Sequence, residues 1–295
     1  MTAPTIYRRV SELQDTISRI RREEPDAHVG FVPTMGALHE GHLYLIREAC
    51  AQNDYVVVSV FVNPRQFNQA ADFESYPREP SEDARMAAQA GAGLVFIPEE
   101  SDMYPCKDPY PRPKFDLGQA GAVLEAAHRP GHFEGVLDVV HRLFCMVRPD
   151  RAYFGLKDYQ QYLIVRDFSA THHPDLEIVG LPTQRASDGL ALSSRNQRLS
   201  AAARRQAPCI YQTLRWMADQ AAANACSLRP VEEQARQYLE KQPHVQRIEY
   251  LSFRDALTLD ARTTMPASQP MVVCAAVWLD GVRLIDNLLI PAKDA

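Results

Sequence analysis

Short apolar runs alternate with helix-period stretches through the first two-thirds of the chain, and that alternation leaves few folds open. HVGFVPT (28 to 34) and YVVVSVFVN (55 to 63) read as buried strands, with GHLYLIREACAQN (41 to 53) between them as a helix. A helix joining two such runs is the crossover that parallel pairing requires. SEDARMAAQAG (81 to 91) predicts a further helix, with Ser81 as its cap and Gly91 as its stop, and LVFIP (94 to 98) a further strand. RAYFG (151 to 155) and LEIVGLP (176 to 182) continue the series, separated by a helix from about Asp158. The plan is a doubly wound, Rossmann-like α/β sheet, whose ligands lie outside the carboxyl ends of the strands.

After residue 183 the pattern changes. Two helical stretches, near 200 to 224 and 229 to 242, precede IEYLSF and a last pair of strands, MVVCAAVWL and VRLIDNLLI. Asp280-Gly281 between those strands is a strong signal for a two-residue hairpin. The expected division is a Rossmann-like domain over 1–183 and a smaller α+β lid domain over 184–295.

Composition excludes several classes. At 295 residues, 46% of them apolar and 23% charged, the chain buries a real core, and its net charge of −5 gives no support to general nucleic-acid binding. Six cysteines at 50, 106, 145, 209, 226 and 274 form no CxxC pair and are expected to be reduced, mostly buried thiols of a cytoplasmic protein. The N-terminus lacks the apolar segment of an export signal, and the nine-residue run MVVCAAVWL is far below the roughly 20 residues that span a bilayer. The expected partners are small molecules or protein.

Three stretches carry residues suited to chemistry. In PTMGALHEGHL (33 to 43) a strand, a glycine turn and a helix start place free amide N–H groups and a positive dipole end where an anion would sit, flanked by His39 and His42. Packing against neighbours and a zinc site are the alternatives, although a zinc-binding HExxH helix spaces its histidines i, i+4 rather than i, i+3. In RASDGLALSSRN (185 to 196), Ser193, Ser194 and Arg195 offer hydroxyl and guanidinium donors to phosphate oxygens, or make an ordinary polar loop. At a domain boundary a mobile loop could close over a nucleotide. In RAYFGLKDYQQ, Lys157 and Asp158 follow the strand end at Gly155, where a lysine could neutralise phosphate and an aspartate accept from a ribose hydroxyl; a surface lysine and a helix cap are the plain readings.

Taken together and in order, PTMGALHEGHL, FVNPRQF, YPR, RPGHFEGV, PDRAYFGLKDYQQ and DGLALSSRN resemble the pantoate–β-alanine ligase (pantothenate synthetase) family, a branch of the HIGH-motif nucleotidylyltransferases. The resemblance runs from PTMG to the terminal RLIDNLLI and implies joining of pantoate to β-alanine with ATP through a pantoyl adenylate. It implies phosphate-contacting roles for His39 and His42, and further phosphate contacts from Lys157, Ser193, Ser194 and Arg195, the last three standing where the superfamily has its KMSKS lysines. The ATP pocket it implies is Pro33, Thr34, Met35, Gly36, Ala37, Leu38, His39, Glu40, Gly41, His42, Gly155, Leu156, Lys157, Asp158, Gln184, Leu192, Ser193, Ser194 and Arg195.

Gln66 and Gln161 match the pantoate-holding glutamines, with Asn63 and His132 lining the same region. Mg²⁺ is expected with the triphosphate, with Glu82 and Asp83 as the matching acidic pair, and a homodimer is implied by resemblance alone. Three positions depart from the family pattern: Leu156 replaces the usual glutamate, Met86 stands where some members have a polar residue, and Gln184 stands where apolar residues are found near adenine.

Overall fold

The computed structural model describes residues 4–68, 73–223, 227–266 and 268–292. Their contacts divide the chain into two compact units: Met1–Gly121, Glu125–Leu156 and Gln161–Pro182 form the first, and Ala122–Leu124, Lys157–Gln160 and Thr183–Ala295 the second.

The first unit is built on a parallel sheet. Its elements are β1 (Thr5–Tyr7), α1 (Val10–Glu23), β2 (Val29–Thr34), α2 (Glu40–Gln52), β3 (Tyr55–Val60), α3 (Pro80–Gln89), β4 (Leu94–Phe96), α4 (His132–Val147), β5 (Arg151–Gly155), α5 (Tyr159–His172) and β6 (Glu177–Leu181). The strand order is β1-β4-β3-β2-β5-β6, and every pairing is parallel. Strand order reverses between β2 and β5, so the turn after β2 and the segment after β5 flank the switch point where doubly wound sheets take their ligands.

The continuous apolar runs follow from double-sided burial. Along the strands alternate residues enter two cores: Val29, Phe31, Val57, Leu94, Phe96, Ala152 and Phe154 face one, with α1 and α4. Val32, Val56, Val58, Val95 and Tyr153 face the other, with α2 and α3. A strand with period-2 burial on both faces has no polar side to show.

Three elements go beyond the sequence reading. β1 is a three-residue edge strand; α1 buries Leu13, Ile17 and Ile20 at helical spacing; and α4 is buried along most of its length. One expectation is corrected. Ser81 does not cap α3: the helix begins at Pro80, whose missing N–H suits a first helical position, after Glu79, which makes no side-chain cap bond. Gly91 follows the C-cap Ala90 at φ +109° and ends the helix as expected.

The second unit has helices α6 (Ala201–Gln206), α7 (Cys209–Ala223) and α8 (Arg229–Glu240), then β7 (Val245–Asp255), β8 (Met271–Leu279) and β9 (Val282–Ile290). The strands pair antiparallel in the order β7-β8-β9. Met271, Val273, Ala275 and Val277 of β8 pack with Ile210, Leu214 and Val231 of the helices. Asp280 (φ 50°) and Gly281 (φ 77°) make the two-residue turn with both residues left-handed, as a type I′ hairpin demands. The segment 157–160 joins this unit by polar ties: Asn287 Nδ2 donates to the Lys157 carbonyl at 2.8 Å, Tyr159 Oη to the Ala256 carbonyl at 2.8 Å, and Gln160 Nε2 to the Val123 carbonyl at 2.8 Å.

Five of the cysteines are free thiols, but only Cys209 and Cys274 are buried; Cys50 and Cys145 are half-buried, Cys106 is exposed, and Cys226 lies outside the described residues. No helix among the described residues is long and apolar enough to cross a membrane.

Candidate active site

The turn after β2 is shaped by its own strained backbone and by one carboxylate from α3. Gly36 takes φ +82° and Ala37 φ +50°, a left-handed pair in which the alanine bears a steric cost. Asp83 holds them there. Only 2% exposed, it accepts from the Ala37 amide at 3.1 Å and from the Leu38 amide at 2.8 Å. Burial pushes its carboxyl above the ordinary aspartate value, and the two amides pull it partway back. Thr34 Oγ1 donates to the Ser59 carbonyl at 2.6 Å and accepts from the Gly36 amide at 3.2 Å, which fixes the turn's entry.

His39 and His42 close the turn as a reciprocal capping pair on α2. His39 Nδ1 accepts from the Gly41 amide at 3.2 Å, and His42 Nδ1 accepts from the His39 amide at 3.3 Å. The rings lie 4.1 Å apart at 32°. A ring nitrogen that accepts an N–H bond carries no proton, so both neutral imidazoles keep their proton on Nε2. Both rings are therefore donors at Nε2, beside a helix N-terminus whose dipole favours an anion.

Beside this turn, Asn63, Gln66 and His132 form one buried network. Asn63, 1% exposed, donates to Gln66 Oε1 at 3.1 Å and to the Gly135 carbonyl at 3.0 Å, and accepts from the Arg65 amide at 3.2 Å and from Tyr104 Oη at 2.8 Å. His132 Nδ1 meets the Gln66 carbonyl at 2.8 Å, and its Nε2 faces Arg129 at 3.1 Å. Asn63 and His132 thus spend their polar atoms supporting the Gln66 segment, while Gln66 Nε2 donates to the Met35 sulfur. Gly135 permits the close approach, since a Cβ there would stand 2.3 Å from the Arg65 carbonyl oxygen. Gln161 is half-buried, with no side-chain hydrogen-bond partner among the described residues.

The carboxylates of Glu82 and Asp83, the acidic pair matched to Mg²⁺, are both engaged by protein donors. Asp83 gives one oxygen to each of two amides, and exposed Glu82 accepts from Arg85, whose guanidinium holds the Glu82 carboxyl below the usual range. Asp83 thus anchors the turn, and Glu82 makes a surface ion pair.

In the second unit, Lys157, Ser193, Arg195, Asn196, Arg283 and Asp286 are among the residues lining a single pocket. Ser193 caps the short helix Ser194–Arg198 through its Oγ, which accepts from the Arg195 amide at 3.3 Å. Lys157 Nζ lies 3.4 Å from the more exposed Asp158 carboxylate. The half-buried Arg195 guanidinium has no partner among the described residues, which leaves its donor fork open to a bidentate anion.

What precedes the serines is a hairpin rather than a loose loop. The Leu192 amide donates to the Gln184 carbonyl at 2.9 Å, Arg185 bridges to Ala191, and Gly189 turns the corner at φ +94°. Its anchor, missed in the sequence reading, is Arg185. It forks onto Asp286 at 2.6 and 2.8 Å and stacks 3.7 Å over Tyr211. The adjacent polar pair Asp286-Asn287 inside an apolar strand was the available signal. Leu156 ends the first unit beside Gly180, whose added Cβ would meet it at 2.8 Å, so an apolar residue there packs against β6.

The pantoate-beta-alanine ligase family profile matches residues 5–289. Pantothenate synthetase of Paracoccus denitrificans is 43% identical over 293 residues, 99% of this chain and all of the relative, and that of Cytophaga hutchinsonii is 40% identical over 95% of this chain and 98% of the relative. The crystal structure of pantothenate synthetase from Thermus thermophilus superposes with a TM-score of 0.85 at 40% identity, covering 97% of this chain and 99% of that one. The ligase from Francisella tularensis, complexed with "Beta-gamma ATP" and β-alanine, gives 0.77 at 32% identity, covering 97% and 98%. On its motifs, its fold and these full-length matches, the chain belongs to the pantoate–β-alanine ligase family.

Proposed function

We propose that the chain joins pantoate to β-alanine in two steps at the expense of ATP. The pantoate carboxylate oxygen attacks the α-phosphorus, the bond to the bridging oxygen breaks, and pyrophosphate leaves. The β-alanine amine then attacks the acyl carbon of pantoyl adenylate, AMP departs, and the amine loses a proton. Adenylation is needed because a carboxylate oxygen is a poor leaving group. No enzyme nucleophile is required, so the protein's work is placement and donors aimed at developing charge.

In this reading His39 and His42 present Nε2–H groups to phosphate oxygens, and Lys157, Ser193, Ser194 and Arg195 supply the second donor set. Gln66, held by Asn63 and His132, and Gln161 bind pantoate through amides that both donate and accept. Mg²⁺ enters with the triphosphate as part of the substrate, keeping several of its waters. The observation that carries the reading is the Arg195 guanidinium, lining one pocket with Lys157 and Ser193 and lacking an internal counter-ion among the described residues.

Isotope exchange tests it. Labelled pyrophosphate should enter ATP when pantoate is present and β-alanine absent, and AMP should form only when β-alanine is added. Exchange that requires β-alanine rules out a free adenylate, and no AMP under any combination rules out the ligase. His42→Ala should slow exchange by about 10²-fold or more, the scale of losing one transition-state donor.

A further inference from the structure

Away from these residues, His141, Cys145 and His173 each offer one donor atom such that all three atoms lie within 4.8 Å of one another. His141 and Cys145 stand one turn apart on α4, and His173 directly follows α5, so two helices assemble the set. His141 Nδ1 lies 3.0 Å from His173 Nε2, and the Cys145 sulfur lies 3.8 Å from His141 Nε2. All three are half-buried. Phe168 meets His141 edge-on at 5.9 Å and Phe144 meets His173 edge-on at 5.3 Å, giving the cluster apolar walls. α5 starts at the carboxyl side of the sheet and ends ahead of β6, which places the cluster on the amino side, opposite the ligand crevice.

Two imidazole nitrogens in such contact need a proton between them, and a metal ion can replace it. A borderline-soft divalent ion takes imidazole at about 2.0–2.1 Å and thiolate at about 2.3 Å in tetrahedral array. Those lengths set the two nitrogens about 3.3 Å apart and the sulfur about 3.5 Å from each. One ion takes one nitrogen of His141: with Nδ1 as the ligand the rings need to separate by a few tenths of an ångström, and the sulfur, within 4.8 Å, needs to close by up to about 1.3 Å, within reach of side-chain rotation. Burial holds both imidazoles below the ordinary histidine range, which keeps them neutral as ligands must be, and pushes the Cys145 thiol up, which opposes binding.

We infer that His141, Cys145 and His173 form a Zn²⁺ site that ties α4 to the end of α5, with solvent water as the fourth ligand. When the Zn–S bond forms, the thiol proton leaves to solvent. The imidazole that had donated to its neighbour moves its proton to its other ring nitrogen, so one proton is released in all.

The test uses metal-free full-length protein and Co²⁺ as a spectroscopic stand-in. One equivalent of Co²⁺ should produce a thiolate-to-cobalt charge-transfer absorption, present in Cys106→Ala, which removes an exposed thiol, and lost in both Cys145→Ala and Cys145→Ser. Zn²⁺ should abolish the band, raise Tm, and bind His173→Gln more weakly by at least the roughly 10–100-fold that loss of even an outer-shell partner costs. No thiolate band with Co²⁺, a band that survives Cys145→Ser, or equal Zn²⁺ affinity in His173→Gln overturns the assignment. None of these readouts depends on ligase activity.

Discussion

Replacing Asp83 by asparagine isolates what the α3 carboxylate does for the turn that bears the two histidines. The asparagine oxygen can keep one of the two amide bonds, 3.1 Å to Ala37 or 2.8 Å to Leu38, while its NH₂ group faces the other donor. A buried N–H left without an acceptor costs about 1–3 kcal/mol. Against that stands relief from holding an ionised carboxyl in a buried site, since burial disfavours the charged form. Ala37 also gains by leaving its left-handed conformation, worth about 1–2 kcal/mol, so the lost tether favours a relaxed turn.

A net shift of about 2 kcal/mol reduces the ordered turn about 30-fold. Pantoate-dependent pyrophosphate exchange should therefore fall by one to two orders of magnitude, and urea unfolding should show a loss of about 2 kcal/mol or less. Glu82→Gln is the control, because it removes only one exposed ion pair and should leave both measurements near wild type. If Asp83→Asn exchanges at the wild-type rate, the tether is not what shapes the site. If Glu82→Gln instead raises the Mg²⁺ requirement, the acidic pair is a metal site after all.

Gly36→Ala places a Cβ 2.7 Å from Asp83 Oδ2 and 3.1 Å from Val60 Cγ1 at φ +82°, so exchange activity should fall at least tenfold, by about 1.4 kcal/mol or more; unchanged activity contradicts the packing described. Arg185→Ala strands the Asp286 carboxylate, 6% exposed, and should lower stability by about 3–5 kcal/mol in calorimetry or denaturant melts, with Arg185→Lys recovering part. Arg142 holds the Asp108 carboxyl below its ordinary value of 3.8. Its contribution is fully present above that value and fades as pH falls through the lower folded one. The stability gap between wild type and Asp108→Asn should thus close on acidification below pH 3.8, and a gap that widens there contradicts the pairing.

The parallel sheet was legible because each strand is covered on both faces, so its apolar run is unbroken. β1 was not, since three residues at a sheet edge, two of them exposed, carry no period. α4 hid for the opposite reason: buried nearly all round, it shows little polar face, and its charges Asp138 and Arg142 pair with each other inside at 3.1 Å. Within the candidate site, contiguous motifs could be read, whereas the residues that hold them could not. Asp83 lies 46 positions from Ala37, and Asp286 lies 101 from Arg185. Hydrogen bonds between segments so distant leave no local pattern, and nothing in the residues around Asp83 announces its tie to the turn.

The carboxylate that braces residues 36–38 comes from another helix, and that has a consequence for anyone moving this motif elsewhere. Synthesised as an isolated peptide, or spliced into a foreign scaffold, the histidine turn would lack its outside strut and relax, imidazoles intact but aimed at nothing in particular. The portable unit is the two-piece assembly of turn and helix α3, and a transplant that carries both pieces is the one that should still grip an anion.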